Sequence, residues 1–466
     1  MTATTATIAP GAPRKDAGTR LPTGLCFSFG LGSFGIAIML NTVTIFFPVF
    51  MTTVLGQSAA LAGLLLTISK LYDVVADMVI GAASDRTRSR LGRRRPYLLA
   101  GAIISGISFV LIFNPPEWQG TALAAWMLFA LIVYSTGYAV FSVPYIAMAG
   151  EMTDDYHERT RLLSFRAFFI SLGQIASAAG TAALVAYFGG GTTGYAMMGA
   201  VAGALLSAAM IVCFFTTSRA RQVERPKQRI SRKEALRTLA SNVPFLQLMV
   251  IKTGQYMAIA IISTTKLLFL LNVLHLGYSG LAQLTFVQNL VSAMTVPFWV
   301  WLGRRIGKRE SYLLATGLLM LVYASWYFTE PGLGMAEVWA RGAINGFAAA
   351  GTTLMSIAML PDVMEYDRLR TGLRREGIFS GIYTIIEKLG FALGAGLIGV
   401  VLSAAGFIPT LRGALVEQPP AAVAALYAGS SLIPAGLVLI SFVVMLFYRL
   451  DERRLRAVEA LPETAG

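Results

Sequence analysis

The chain has 466 residues, 56% of them hydrophobic and 13% charged, and its mean hydropathy is +0.65; soluble chains run at about 45–50% apolar and about 25% charged, so a soluble globular protein is excluded. The formal charge of +14 does not point to nucleic acid, because the basic residues alternate with long apolar runs instead of covering a soluble face. Cys26 and Cys213, the two cysteines, both lie inside apolar segments, which leaves no disulfide framework and no metal-ligand spacing.

Twelve apolar stretches are predicted to cross a bilayer, which takes about 20 residues of helix. All are expected to be helices, because hydrocarbon offers the backbone no outside partner and the alternation of a barrel strand is missing. Span 1 (22–53) is far longer than the apolar core of a cleavable signal, so no signal peptide is expected. Span 2 (59–83) carries Lys70, Asp73 and Asp77, whereas spans 3 (97–114) and 4 (121–147) carry no charge. Span 5 (164–187) opens on Arg166 and is followed by span 6 (193–217). The basic, polar stretch 218–242 then divides the spans six and six. Span 7 (243–272) holds Lys252 and Lys266; spans 8 (279–302) and 9 (310–328) are uncharged apart from their ends. Span 10 (335–360) has Glu337 and Arg341, span 11 (378–404) has Glu387 and Lys388, and span 12 (421–449) closes the series.

Ionisable residues within spans cost about 2.5 kcal/mol upward and point to function. Asp73 and Asp77 are one helical turn apart, so both carboxylates share a face about 6 Å apart along the axis. Such a pair can bind a hard cation such as Na⁺ or share a proton. The bland alternative is a structural Lys70–Asp73 ion pair with one acid left over. Lys388 falls at a similar depth and could meet the acid pair across the two halves. Its own alternative partner, Glu387, points about 100° away on the helix. Lys252 is expected to snorkel to the membrane edge, and Glu337 with Arg341 to form a local i,i+4 salt bridge. Lys266, deeper, is left between cavity and core. Both histidines, His157 and His275, fall in loops, so no histidine proton relay is expected within the spans. No paired His/Cys spacing and no phosphate-binding glycine loop is present, so an enzyme is not expected.

Of the 38 Lys and Arg, 32 fall in the tails and in every second connection, and Arg412 alone falls in the other set. The positive-inside rule therefore predicts that both termini and the 218–242 loop are cytoplasmic. Two short matches relate the halves at one offset: Tyr97-Leu98-Leu99-Ala100 recurs as Tyr312-Leu313-Leu314-Ala315, and Leu172-Gly173 recurs as Leu389-Gly390. Parallel six-span repeats place a solute site between the halves near the midplane. The expected units are a tail (1–21), a six-helix half (22–217), the central loop (218–242), a second half (243–449) and a tail (450–466).

Span 2 and its loop read Tyr72-Asp73, Asp77, Gly81 and Asp85-Arg86-Thr87, then Gly92-Arg93-Arg94-Arg95-Pro96-Tyr97. Together with Val143-Pro144-Tyr145, Glu151-Met152-Thr153, Glu158-Arg159, Arg166, Asp362 with Glu365-Tyr366, and Thr384 with Lys388-Leu389-Gly390, this resembles the glycoside-pentoside-hexuronide:cation symporters, the melibiose permease group of the major facilitator superfamily. The likeness runs over about 22–450. It implies an all-α membrane fold of twelve transmembrane helices in two six-helix pseudo-repeats. It also implies that Asp73 and Asp77 hold the coupling Na⁺ or H⁺, and that Lys388, Thr384 and Arg166 lie near cation and sugar. Asp85, Arg86 and Arg93, with Glu151, Arg159 and Asp362, map to its cytoplasmic gate. Two departures bear on the solute. Sugar-binding members carry an acid in span 1, where this chain reads Phe34-Gly35-Ile36-Ala37, and another in span 4, where it has Ser142. The polar groups left around the cavity are Asn41, Ser142, Tyr145, Arg166, Thr384 and Lys388.

The expected function is cation-coupled symport of a sugar, glycoside or uronide by alternating access, in the inner cell membrane. No cofactor is expected beyond the coupling ion. The partners are a small solute and the bilayer, not nucleic acid, and the working unit is expected to be a monomer. A carrier or exporter of lysolipid-like amphipathic solutes is the rival on the same fold; a receptor or scramblase that transports nothing is the rival of another class.

Overall fold

A computed structural model describes residues 21–152, 156–217, 242–371, 376–414, 416–448 and 450; nearly all of the expected tails and of the 218–242 loop lies outside the described residues. The described chain is helical, and eleven of its helices are long and apolar enough to cross a membrane. The remaining span, Gly277–Ile306, is a 30-residue helix whose apolar character is diluted by Gln283, Gln288 and Asn289. The spans in order are Thr23–Val49 (continued by a π-helical turn, Phe50–Val54), Ala59–Arg86, Arg95–Phe113, Gly120–Glu151, Tyr156–Tyr187 with a π turn at Ala176–Gly180, and Gly191–Thr216. Val243–Asn272, Gly277–Ile306, Lys308–Ser325, Met335–Thr371, Glu376–Ala404 and Pro420–Leu446 follow.

Three spans differ most from the sequence expectation, and span 5 does so by starting at Tyr156 instead of 164. Span 10 runs on to Thr371, because the polar turns past Leu360 are stabilised along the helix by the Glu365–Arg368 pair. Span 12 is broken at Ser431, where Pro420–Ser430 hands over to Leu432–Leu446. Pro434 has no N–H for the Ser430 carbonyl and its ring collides with the turn before it, so the first segment stops and the second restarts with Ala435 bonded to the Ser431 carbonyl.

The packing repeats. Span 1 lies against spans 5 and 6, span 2 against 4, and span 3 against 4 and 6; span 7 likewise lies against 11 and 12, span 8 against 10, and span 9 against 10 and 12. The matched Leu-Gly dipeptides sit at equivalent contacts. A Cβ on Gly173 would come within 2.7 Å of the Phe34 carbonyl in span 1, and one on Gly390 within 3.1 Å of the Thr253 carbonyl in span 7. Between the sets, span 2 packs on span 11 and span 5 on span 8.

Hydrogen bonds between the two sets run from the face opposite the termini down to mid-depth. At that face the carbonyls of Thr52, Thr53 and Val54 accept from the N–H groups of Thr410, Gly413 and Arg412 at 2.7, 2.8 and 2.9 Å. These are end-of-helix carbonyls that span 1 cannot satisfy internally, so the 11–12 connection caps them with an antiparallel bridge, Leu55 to Leu411. Deeper, Ala60 N–H donates to Ser403 Oγ (2.8 Å), Tyr195 and Tyr278 share a hydroxyl bond (3.1 Å), and Thr67 Oγ1 donates to the Ala392 carbonyl (2.9 Å). The face opposite the termini is closed in this conformation.

Candidate functional site

Spans 2 and 11 touch through backbone. A Cβ on Gly63 would sit 2.6 Å from the Ala395 carbonyl, and one on Gly399 2.6 Å from the Ala59 carbonyl. Close approach of this kind is what glycine permits between membrane helices. It leaves the side chains further along both helices within reach of each other. Lys388 Nζ lies 2.8 Å from Asp73 Oδ2 and 2.6 Å from Asp77 Oδ2, and 3.5 Å from the Asp73 carbonyl. The side chain of Asp73 is 2% exposed, that of Lys388 11% and that of Asp77 25%. Each carboxylate spends one oxygen on the ammonium. The others, Asp73 Oδ1 and Asp77 Oδ1, are buried without a hydrogen-bond partner.

Lys70 does not take the ion-pair alternative raised by the sequence. Its ammonium lies 5.8 and 6.0 Å from the ring centroids of Tyr134 and Tyr138 in span 4, within cation–π range. Tyr138 also faces Lys388, at 5.3 Å. Two lysines and two aspartates thus form a neutral set, with aromatic rings on one side.

The expectation that Lys252 snorkels is overturned. It is 1% exposed, its Nζ lies 3.0 Å from Glu387 Oε2, and it stands 3.0 Å over the Tyr383 ring. A carboxylate within ion-pairing distance is a better partner than a distant aqueous edge. The divergence of adjacent helical residues explains the arrangement: Glu387 turns to span 7 and Lys388 to span 2. Lys252 as Glu387's partner was missed from sequence, although an acid in span 11 without an assigned counter-charge was the available signal. Glu337 and Arg341 pair at 3.0 Å as the i,i+4 spacing suggested.

The other residues expected around a solute cavity separate by what their polar atoms do. Tyr145 is fully buried between spans 4 and 1, its hydroxyl 2.6 Å from the Phe29 carbonyl and 2.7 Å from Ser33 Oγ, its ring stacked on Phe29. Ser142 is buried. Asn41 Nδ2 donates to the Ala37 carbonyl. Tyr145 and Asn41 are thus engaged with neighbouring backbone or side chains. Thr384 is exposed on span 11, bonding the Ser380 carbonyl at 3.1 Å, and Arg166 is half-buried with an unpartnered Nε.

At the end of span 2, Asp85 pairs with Arg94 at 3.4 Å; Arg86 is exposed. Lys308 Nζ binds both oxygens of Asp362, at 2.7 and 2.6 Å, joining the start of span 9 to span 10. The side chains of Glu151 and Arg159 lie outside the described residues.

Residues 28–452 match the family model described as MFS/sugar transport protein. Among curated proteins, the isoprimeverose transporter of Lactiplantibacillus pentosus is 27% identical over 91% of this chain and 88% of its own length. A putative glycoside/cation symporter of Escherichia coli is 27% identical over 92% of each. Among solved structures, a bacterial homologue of the human lysosomal transporter Spinster, crystallised inward-facing and unoccupied, superposes with a TM-score of 0.68 at 18% identity, covering 94% of this chain and 97% of that one.

Proposed function

The chain belongs to the MFS/sugar transport family, and from that premise we propose that it is a symporter in which the Asp73–Asp77 pair takes the coupling cation and Lys388 links that event to the solute. The carrying observation is the ammonium held between the two carboxylates, each with one buried oxygen left without a partner. Lys388 acts there as a tethered cation. An arriving Na⁺ or H⁺ would raise the charge of a neutral, desolvated set, so cation entry and departure of the ammonium go together. The freed ammonium then faces the cavity with Arg166 and Thr384. The two six-span halves, 22–217 and 243–449, rock about this point as the central loop 218–242 joins them.

A site with Arg166 and a releasable Lys388, in which the further acid Glu387 is already paired with Lys252, suits a solute with a carboxylate, such as a uronide, better than a neutral disaccharide. With Ala37 and Ser142 in place of acids, about 1.5–3 kcal/mol is lost for each missing bond to a charged group, roughly a hundredfold or more in affinity for two. Counterflow in proteoliposomes, with and without Na⁺, tests the reading. Glucuronides should compete and melibiose should not. Cation-dependent inhibition by melibiose with no effect of any anionic sugar overturns the solute class, and no counterflow of any solute overturns transport.

The loop-charge asymmetry supports cytoplasmic termini, and with that orientation the closed face lies outside and the state is inward-facing. A cysteine at Ser89 should resist a membrane-impermeant reagent added to intact cells, while one at Glu117 should label readily. The native Cys26 and Cys213 are buried and leave the background low. Labelling at Ser89 alone reverses the orientation.

A further inference from the structure

Lys266 in span 7 has no role in the site described. It is 7% exposed and its Nζ is buried with no hydrogen-bond partner. The span ends at Asn272, so the ammonium stands about 9 Å of helix from the face opposite the termini. It lies 3.8 Å over the ring of Trp326, at the end of span 9, and 5.6 Å from Phe269. Arg341 of span 10 flanks the same indole, its Cζ 5.5 Å from the ring. Arg341 gives one nitrogen to Glu337, whose side chain is largely exposed, and its Nε is buried and unpartnered.

The charge does not balance. Lys266 and Arg341 contribute two positive charges around Trp326, and Glu337 returns one. An ammonium stripped of water needs hydrogen-bond acceptors as well as a π face, and the structure supplies the face alone. A cavity of about 540 Å³ on the same side reaches Tyr427, whose ring is 5.0 Å from Phe269; Glu417 and His275 also line it.

We propose that Lys266 and Arg341 form an anion site beside Trp326, in the last six spans near the face opposite the termini, for a small singly charged anion. Its chemistry suits an inorganic halide or the carboxylate of a carried sugar acid, and the site is separate from the Asp73–Asp77 pair.

Iodide quenching of Trp326 emission in the purified full-length protein tests this, reading Trp326 as the difference between the wild type and Trp326→Phe. Quenching should saturate with iodide, as at a site, and chloride should relieve it. Lys266→Met should weaken apparent iodide affinity at least tenfold, Arg341→Met less, and Lys266→Arg should retain most of it. Relief by chloride only assigns a halide; relief by glucuronate at lower concentration assigns the solute's acid group. Linear, unsaturable quenching, or relief by neither anion, overturns the proposal. If Lys266→Met fails to fold, saturation and displacement in the wild type and in Lys266→Arg decide it. No transport is measured, so the outcome does not depend on the symporter reading.

Discussion

Replacing Asp77 with asparagine should reduce the accumulation ratio in proteoliposomes to about one while leaving solute counterflow measurable. The substitution removes the partly exposed member of the acid pair and with it the two-carboxylate grip on a cation, while the proposed solute residues Arg166, Thr384 and Lys388 are left in place. The expected wild-type value depends on charge. A tenfold ion gradient is worth about 1.4 kcal/mol, and membrane potential adds about 2.3 kcal/mol per 100 mV for each net charge moved. One cation moving with a monovalent anion is electroneutral, so the wild type should reach about tenfold and ignore the potential. A neutral sugar would instead be driven a further fiftyfold or so at 100 mV. Persistent accumulation by Asp77→Asn would remove the acid pair from coupling.

Lys388→Ala should be the most damaging single change to stability. It leaves two carboxylates facing each other in a low-dielectric span, and breaking a buried pair costs roughly 3–5 kcal/mol. Adding Asp73→Asn should recover much of that loss, since a lone, partly exposed Asp77 can hydrate or protonate. Thermal unfolding of the single and double variants measures it. A second signature follows from the ammonium being a tethered competitor: the melting temperature of Lys388→Ala should rise with the coupling cation far more than that of the wild type. Strictly additive losses, together with no cation dependence, would show that Lys388 and the acids act independently.

The chain's class was legible before any coordinates. Hydropathy and length give the spans because a bilayer imposes one dominant constraint, that every backbone group be satisfied within its helix. The shared face of Asp73 and Asp77 follows from helical geometry alone. The repeated dipeptides pointed to the pseudo-symmetry, and Leu172-Gly173 with Leu389-Gly390 prove to be equivalent helix contacts. Local rules also reached the Glu337–Arg341 pair.

Partner choice across helices was legible only in part: similar depth pointed Lys388 toward Asp73 and Asp77, but the other pairings turn on angles that periodicity does not encode. Lys388 reaches Asp73 and Asp77 only because Gly63 and Gly399 let spans 2 and 11 touch. Lys252 looked like an edge lysine until Glu387 was found 3.0 Å away, and Tyr145 looked like a cavity residue until its hydroxyl was found bound to Ser33 and Phe29. The break in span 12 needed Pro434 in its context, and the closed face needed the 11–12 connection to cap the end of span 1. For Lys388, Lys252 and Tyr145 an expensive buried polar group finds its partner on another helix, and only packing brings the two together.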